Sequence, residues 1–139
     1  MAARVLDVPP ERAFRLVAAL HQHGRWVPLT RVDARRGVPH PGDLVEARTA
    51  GVFLDRMRVL RVEPPHLLVL AKLGPVLLGT ATITVTPAPG GCARVTWDYD
   101  ARLRGPLPAA ALVGPLLEAM AALALWRMAR WLRRTRPGD

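Results

Sequence analysis

The stretch Gly79–Thr86, GTATITVT, decides the fold because it alternates two kinds of side chain over eight residues. Threonine occupies every even position from 80 to 86, and the residues between them are alanine, isoleucine and valine. Side chains along a strand point alternately to opposite faces, so this segment has one polar face and one apolar face. We therefore predict a strand over Val76–Thr86 whose apolar face lies against the rest of the protein.

The next segment along the chain repeats this alternation. After a loop at 87–91, the segment Cys92–Leu103 places Val95, Trp97 and Tyr99 on one face and mostly polar residues on the other. Further strand-like segments precede the quoted stretch and are separated mainly by short turns rich in proline and glycine. They are Ala3–Val8, Leu29–Arg36, Leu44–Ala50, Phe53–Val62 and His66–Leu73. Short connections of this kind favour an antiparallel meander with one covered face.

Two helices are predicted, one near each end of the chain. The Pro-Pro-Glu sequence at 9–11 is typical of a helix start, and apolar residues at helical spacing extend this helix to about Leu20. The second helix, Leu107–Arg134, carries one broad apolar stripe, and Pro115 is expected to kink or interrupt its early part. The stripe comprises Val113, Leu117, Met120, Ala121, Ala124, Leu125, Met128, Trp131 and Leu132.

Length and composition indicate a single domain over residues 1–139, large enough to bury a core. The one cysteine, Cys92, excludes an internal disulfide, and no leader segment is visible, so we expect a cytoplasmic protein. The formal net charge is +9, but Lys72 is the only lysine, and many arginines are spread singly along the strands. No nucleic-acid-binding motif accompanies this charge, so we expect a solvated basic surface and no nucleic-acid partner.

Several short pieces, in their order and spacing, carry a resemblance to a known family. They are Val8–Phe14, Arg25–Pro28, Ala47–Thr49, Asp55–Met57, Glu63–Pro65, and Gly90–Gly91 leading to Val95–Trp97. The chain resembles the START-like (SRPBCC) superfamily, in its polyketide cyclase-dehydrase branch, over nearly its whole length. The resemblance implies an α+β helix-grip fold, in which a curved antiparallel sheet of six to seven strands surrounds the long C-terminal helix.

The resemblance also implies an apolar cavity between the sheet and that helix. We expect the cavity to bind a hydrophobic small molecule of the lipid, polyketide or isoprenoid type, without a cofactor. The alternative is an enzyme of the polyketide cyclase or aromatase type that uses the same cavity, because the fold specifies a scaffold and not a reaction. The expected ligand-binding residues are Trp26, Phe53, Met57, Leu68, Leu70, Ile83, Trp97, Leu117, Met120 and Ala124.

Asp55 is the carboxylate that alternation places on the apolar face of the sheet. A buried acid there could act as a general base or polarise a carbonyl group of the ligand. Two other interpretations stay open: an ion pair with a nearby arginine such as Arg48, or a local bulge that turns Asp55 outward. For the enzyme alternative, Tyr99 and Arg48 join Asp55 as candidate catalytic residues, with His66 as a further candidate.

The segment LHQHGRWVPLTR, residues 20–31, connects the first helix to the second strand. His21 and His23 lie two residues apart and lack the ligand spacing of a zinc site, so we expect surface histidines and no metal. Trp26 and Pro28 are expected to cap one end of the cavity.

The apolar run Leu107–Trp126 has the length of a membrane span, and arginines follow it. Glu118, Pro115, the many alanines and the need to cover the sheet argue against a span, so membrane contact would be peripheral at most. A second apolar flank on this helix could form a homodimer contact or pack under the loop Gly105–Pro108. It comprises Leu112, Leu116, Leu123 and Trp126.

Overall fold

In the part of the chain that the structure describes, seven strands and two α-helices account for most residues. The structure, a computed structural model, describes residues 1–27, 29–51, 53–75, 77–103 and 110–134. The strands are β1 Ala2–Leu6, β2 Thr30–Asp33, β3 Leu44–Thr49, β4 Phe53–Glu63, β5 Leu67–Pro75, β6 Leu77–Ala88 and β7 Cys92–Leu103. The helices are α1 Pro10–Ala18 and α2 Ala110–Arg134, and a 3-10 helix, Leu20–Arg25, follows α1.

All seven strands form one antiparallel sheet in the order β1-β7-β6-β5-β4-β3-β2. Strands β2 to β7 are therefore a continuous meander, and β1 joins the sheet beside the last strand. On β6 and β7, Ile83 lies opposite Trp97 and Val85 lies opposite Val95, so the two apolar faces coincide. The predicted meander of alternating strands is confirmed, although β2 is shorter than the predicted segment at 29–36.

The long helix α2 packs on the sheet, where it contacts β7 and β1. Six residues of the predicted stripe are buried: Leu117, Ala121, Ala124, Leu125, Met128 and Leu132. The side chain of Val113 lies outside the described part of the chain. The sheet and helix together have the helix-grip architecture that the START-like resemblance implies.

We predicted a kink or an interruption at Pro115; the helix continues through this residue, so it is not interrupted there. Pro115 lies in the second turn of α2, where its missing N–H removes a hydrogen bond near the helix end and not at its centre. Within the described ranges, neither helix combines the length and hydropathy that crossing a bilayer requires.

The first helix closes the other side of the core. Its apolar face, with Phe14 and Val17 fully buried, lies on β6 and β7. The following 3-10 helix comes so close to β2 that a Cβ atom at Gly24 would lie 2.6 Å from the carbonyl oxygen of Thr30. A glycine is required at this position because no side chain fits between the two segments.

The packing of α2 gives a test with two leucines of one helix. Leu125 is 1% exposed on the sheet side of α2, and Leu123 is 36% exposed on the outer side. We expect Leu125→Ala to lower the free energy of unfolding by about 2–5 kcal/mol, because it leaves a cavity between helix and sheet. Leu123→Ala, the matched control, should cost about 0.5 kcal/mol or less in the same denaturant titration. Equal losses would show that α2 does not pack in this orientation.

Candidate functional site

Two charged side chains, Asp55 on β4 and Lys72 on β5, lie among the apolar residues of the inner sheet face. The Lys72 Nζ atom is 2.9 Å from the Asp55 Oδ2 atom, and the two side chains are 5% and 16% exposed, respectively. Leu68 and Leu70 precede Lys72 at two-residue intervals and are buried on the same face. The two-residue period of a strand therefore carries the lysine inward.

The surroundings of the Lys72 ammonium group are polarisable. Met57 lies opposite Lys72 in the register of β4 and β5, and its Sδ atom is 3.6 Å from Nζ. The Nζ atom also lies 5.3 Å from the centroid of the Tyr99 ring. A cation at this distance from an aromatic face is attracted by the electron-rich ring, which adds to the ion pair with Asp55.

An irregularity between β4 and β5 lies directly beside this pair. Arg56 lies opposite Gly74 and Met57 lies opposite Lys72, so Leu73 has no residue opposite it on β4. The Leu73 side chain is exposed, while Lys72 and Gly74 on either side of it are buried. This bulge bends the pairing at the point where the charged pair forms.

Tyr99 and Trp97 form an aromatic wall next to the ion pair. Their ring centroids are 6.0 Å apart in a stacked arrangement, and the centroid of the His23 ring lies 5.2 Å from that of Trp97. Burial raises the pKa of the Tyr99 phenol, and the nearby negative charge of Asp55 raises it further, while the Trp97 indole acts in the opposite direction. Tyr99 therefore stays protonated and keeps a hydroxyl hydrogen to donate.

One oxygen of the Asp55 carboxylate has no hydrogen-bond partner. Lys72 donates to Oδ2, whereas Oδ1 is buried and accepts no hydrogen bond from any described residue. Buried polar atoms in proteins are nearly always hydrogen-bonded, because leaving one unpaired is costly. The inner face of the sheet thus offers a free, buried hydrogen-bond acceptor beside an aromatic wall.

Of the four candidate catalytic residues, two lie on the inner face of the sheet and two do not. Asp55 points inward, as alternation predicted, and Tyr99 lies on the same face. The alternative of an ion pair with Arg48 is wrong: Arg48 is exposed on the outer face of β3, and Asp55 pairs with Lys72 instead. His66 is exposed in the turn before β5 and does not join the group.

Lys72 is the residue of this candidate site that the sequence interpretation missed. The sequence does indicate an inward position for Lys72, because this residue follows Leu68 and Leu70 at two-residue spacing in the same predicted strand. Its partner could not be inferred, because Asp55 lies 17 residues away and the bulge at Leu73 changes the register between the two strands.

The expected ligand-binding residues are placed as follows. Six of them are fully or nearly buried: Leu68, Leu70, Ile83, Trp97, Leu117 and Ala124. Met57 and Met120 are half-buried, and Trp26 is buried at the end of α2. The side chain of Phe53 and the whole of Pro28 lie outside the described residues.

Aromatic and cation–π contacts join the connection after α1 to the C-terminal part of α2. Trp26 contacts Trp131 edge to face, with ring centroids 5.7 Å apart. The Arg25 guanidinium lies 4.9 Å from the Trp26 ring and 5.3 Å from the Trp131 ring. Trp26 therefore closes one end of the helix-grip core.

The prediction of a surface position is wrong for His23. Its ring is buried, and Nε2–H donates a 2.7 Å hydrogen bond to the carbonyl oxygen of Val17. The 3-10 helix turns this side chain back toward α1, which the sequence pattern did not indicate. Burial lowers the pKa of His23, and the adjacent His21 lowers it further, while the bond to Val17 acts in the opposite direction.

The outer face of α2 is partly apolar. Leu116, Leu123 and Trp126 are exposed, and the Arg130 guanidinium lies 5.3 Å from the Trp126 ring. The side chain of Leu112, the fourth residue of the predicted flank, lies outside the described part of the chain. The loop Gly105–Pro108 also lies outside it.

The comparison with known proteins agrees with this architecture. Residues 2–135 match the family model described as polyketide cyclase / dehydrase and lipid transport. The chain belongs to this family, which confirms the START-like (SRPBCC) resemblance. No curated protein matches the chain significantly.

Solved structures share the fold at low sequence identity. A protein of Mesorhizobium loti is 21% identical with a TM-score of 0.69, covering 96% of this chain and 98% of its own. A protein of Thermobifida fusca is 19% identical with a TM-score of 0.73, covering 96% of this chain and 92% of its own. DynU16, a protein in the dynemicin biosynthetic locus, is 17% identical with a TM-score of 0.69, covering 98% of this chain and 47% of its own.

The lowered pKa of His23 predicts that acid destabilises the protein. The unfolded chain binds a proton at this imidazole more readily than the folded protein does. The free energy of unfolding is therefore intact above the unfolded pKa of about 6.5 and falls as the pH drops below it, toward the folded pKa. The slope from one proton reaches at most about 1.4 kcal/mol per pH unit.

Denaturant titrations between pH 7.5 and 5 test this dependence. His23→Gln keeps an N–H donor for the Val17 carbonyl but removes the titrating group, so its stability should vary less with pH. His40→Gln changes an exposed histidine and should retain the wild-type slope. An unchanged slope in His23→Gln would contradict the assignment.

Proposed function

We propose that the protein binds a hydrophobic small molecule of the lipid, polyketide or isoprenoid type between the inner sheet face and α2. Membership of the family supports the general class of ligand. The observation that carries the proposal is the aromatic wall of Trp97 and Tyr99 beside the desolvated pair of Asp55 and Lys72. Binding sites of this kind are mostly apolar and contain a few polar groups that fix the orientation of the ligand.

The aromatic wall and the polar pair contribute differently to binding. In this proposal Trp97, Tyr99 and Leu70 supply apolar area from the sheet, and Leu117 and Met120 supply it from α2. Apolar contact contributes most of the affinity, at roughly 25 cal/mol per Å² removed from water. Asp55 and Lys72 contribute less affinity and more orientation, because a polar ligand group must reach them to be satisfied.

Native mass spectrometry of the protein purified from its own host tests the proposal. We expect a bound apolar molecule that is released when the protein is denatured. A protein that is always empty, and that also fails to bind naphthalene in a fluorescence titration, would refute the proposal.

Substitutions on opposite sheet faces locate the ligand in the same titration. Tyr99→Ala removes part of the aromatic wall and should weaken naphthalene binding by about tenfold, since aromatic contacts contribute roughly 0.5–1.5 kcal/mol beyond buried area. Arg48→Ala on the outer face should leave binding unchanged. Equal effects of both substitutions would place the ligand elsewhere.

A second candidate function is cyclisation of a poly-carbonyl chain, which the grouping of Asp55, Lys72 and Tyr99 favours. Asp55 would remove a proton from the carbon next to one carbonyl group. That carbon would attack a second carbonyl carbon, while Lys72 or Tyr99 donates a proton to the oxygen that becomes a hydroxyl. Arg48 has no part in this chemistry because it lies on the opposite face.

The enzyme alternative predicts a separation of turnover from binding. Asp55→Asn and Tyr99→Phe should each abolish cyclisation of a poly-carbonyl substrate and leave substrate affinity within a few-fold of wild type. Arg48→Ala should keep full turnover. Turnover that is unchanged in both of the first two variants would remove these catalytic assignments.

A further inference from the structure

We propose that Asp55 Oδ1 recognises a hydroxyl group on the bound molecule. This inference rests on the proposed function and goes further by naming the class of ligand: a neutral apolar molecule that carries a hydroxyl group. The site consists of the Asp55–Lys72 pair on β4 and β5 with the Tyr99 ring beside it.

The free oxygen determines which polar group fits. Oδ2 already accepts a hydrogen bond from Lys72, so Oδ1 is the atom of the pair that is buried and unpaired among the described residues. A carboxylate oxygen accepts hydrogen bonds and, when ionised, donates none. The complementary ligand group is therefore a donor, and a hydrogen bond to an ionised acceptor is stronger than one between neutral groups.

The charges of the pair exclude charged ligands. Asp55 and Lys72 compensate each other, so an added charge would be buried without a partner at high cost. A cationic ligand would meet the Lys72 ammonium group 2.9 Å from Oδ2, and an anionic ligand would meet the free carboxylate oxygen. An ether or a ketone only accepts hydrogen bonds and would leave Oδ1 unsatisfied. A neutral hydroxyl group meets all of these conditions.

The β6 residues next to the pair, Gly79 and Ala81, contribute little side-chain volume to the inner face. Lys72 lies opposite Gly79, which has no side chain. One inward position further along, Ala81 lies between Leu70 on β5 and Tyr99 on β7, where it contributes only a methyl group. A flat apolar frame placed against the Tyr99 ring would bring a hydroxyl group toward Asp55.

Two probes with the same fused rings test the inference by isothermal titration calorimetry. 2-Naphthol donates a hydrogen bond from its hydroxyl group, whereas 2-methoxynaphthalene can only accept one. We expect the wild-type protein to bind 2-naphthol at least about tenfold more tightly, as one hydrogen bond to a charged group implies.

A conservative substitution assigns the preference to one atom. In Asp55→Asn, the amide oxygen can still accept a hydrogen bond from Lys72. The amide nitrogen, a donor, then occupies the position of Oδ1. The preference for 2-naphthol should then disappear, and 2-methoxynaphthalene should bind at least as well as to wild type. Asp100→Asn makes the same change on the exposed face of β7 and should keep the wild-type preference.

The outcomes separate this inference from the proposed function. Equal binding of both probes by wild type, or a preference that persists in Asp55→Asn, would overturn the hydroxyl site and leave apolar binding intact. Failure of both probes to bind, together with an empty protein in native mass spectrometry, would refute the proposed function and this inference with it. If Asp55→Asn does not fold, the double variant Asp55→Asn/Lys72→Met removes the unpaired cation and should also lose the preference.

Discussion

The packing of α2 on the apolar sheet face is the interaction on which the rest of the structure depends. A half-apolar sheet cannot stay exposed to water, and the stripe that includes Leu125 and Met128 is the surface that covers it. Removing such area from water is the main favourable contribution to folding. The same two surfaces would also enclose a ligand. Any space left between them for a ligand therefore reduces the apolar contact that stabilises the folded protein.

The pair of Asp55 and Lys72 is poorly explained by stability alone. Taking two charges out of water costs several kcal/mol per ion, and apolar residues of similar size are often as good or better for folding. A protein that needed only a core would gain little from this arrangement. A protein that orients a molecule inside an apolar interior does need such a polar group. The location of the pair beside Trp97 and Tyr99 agrees with this explanation.

Most of the fold could be predicted from the sequence, because it depends on local periodicity. The observed bounds of β7 are those predicted, and the helical stripe contains the buried residues of α2. Periodicity also placed Asp55 on the inner face. It could not identify Lys72 as the partner, because pairing between strands depends on a bulge at Leu73 that leaves no clear pattern in the sequence. His23 was misplaced for a related reason, since a 3-10 helix obeys neither of the two periods used.

The space available in the interior and its hydrogen-bonding groups depend on different strands. The polar chemistry comes from β4, β5 and β7, whereas Gly79 and Ala81 come from a strand that contributes no polar atom to the group. Larger residues at these two positions would reduce the capacity of the interior without altering its hydrogen-bonding groups. Within one scaffold, the space in the interior and its polar chemistry can therefore change independently in evolution, each through substitutions on different strands.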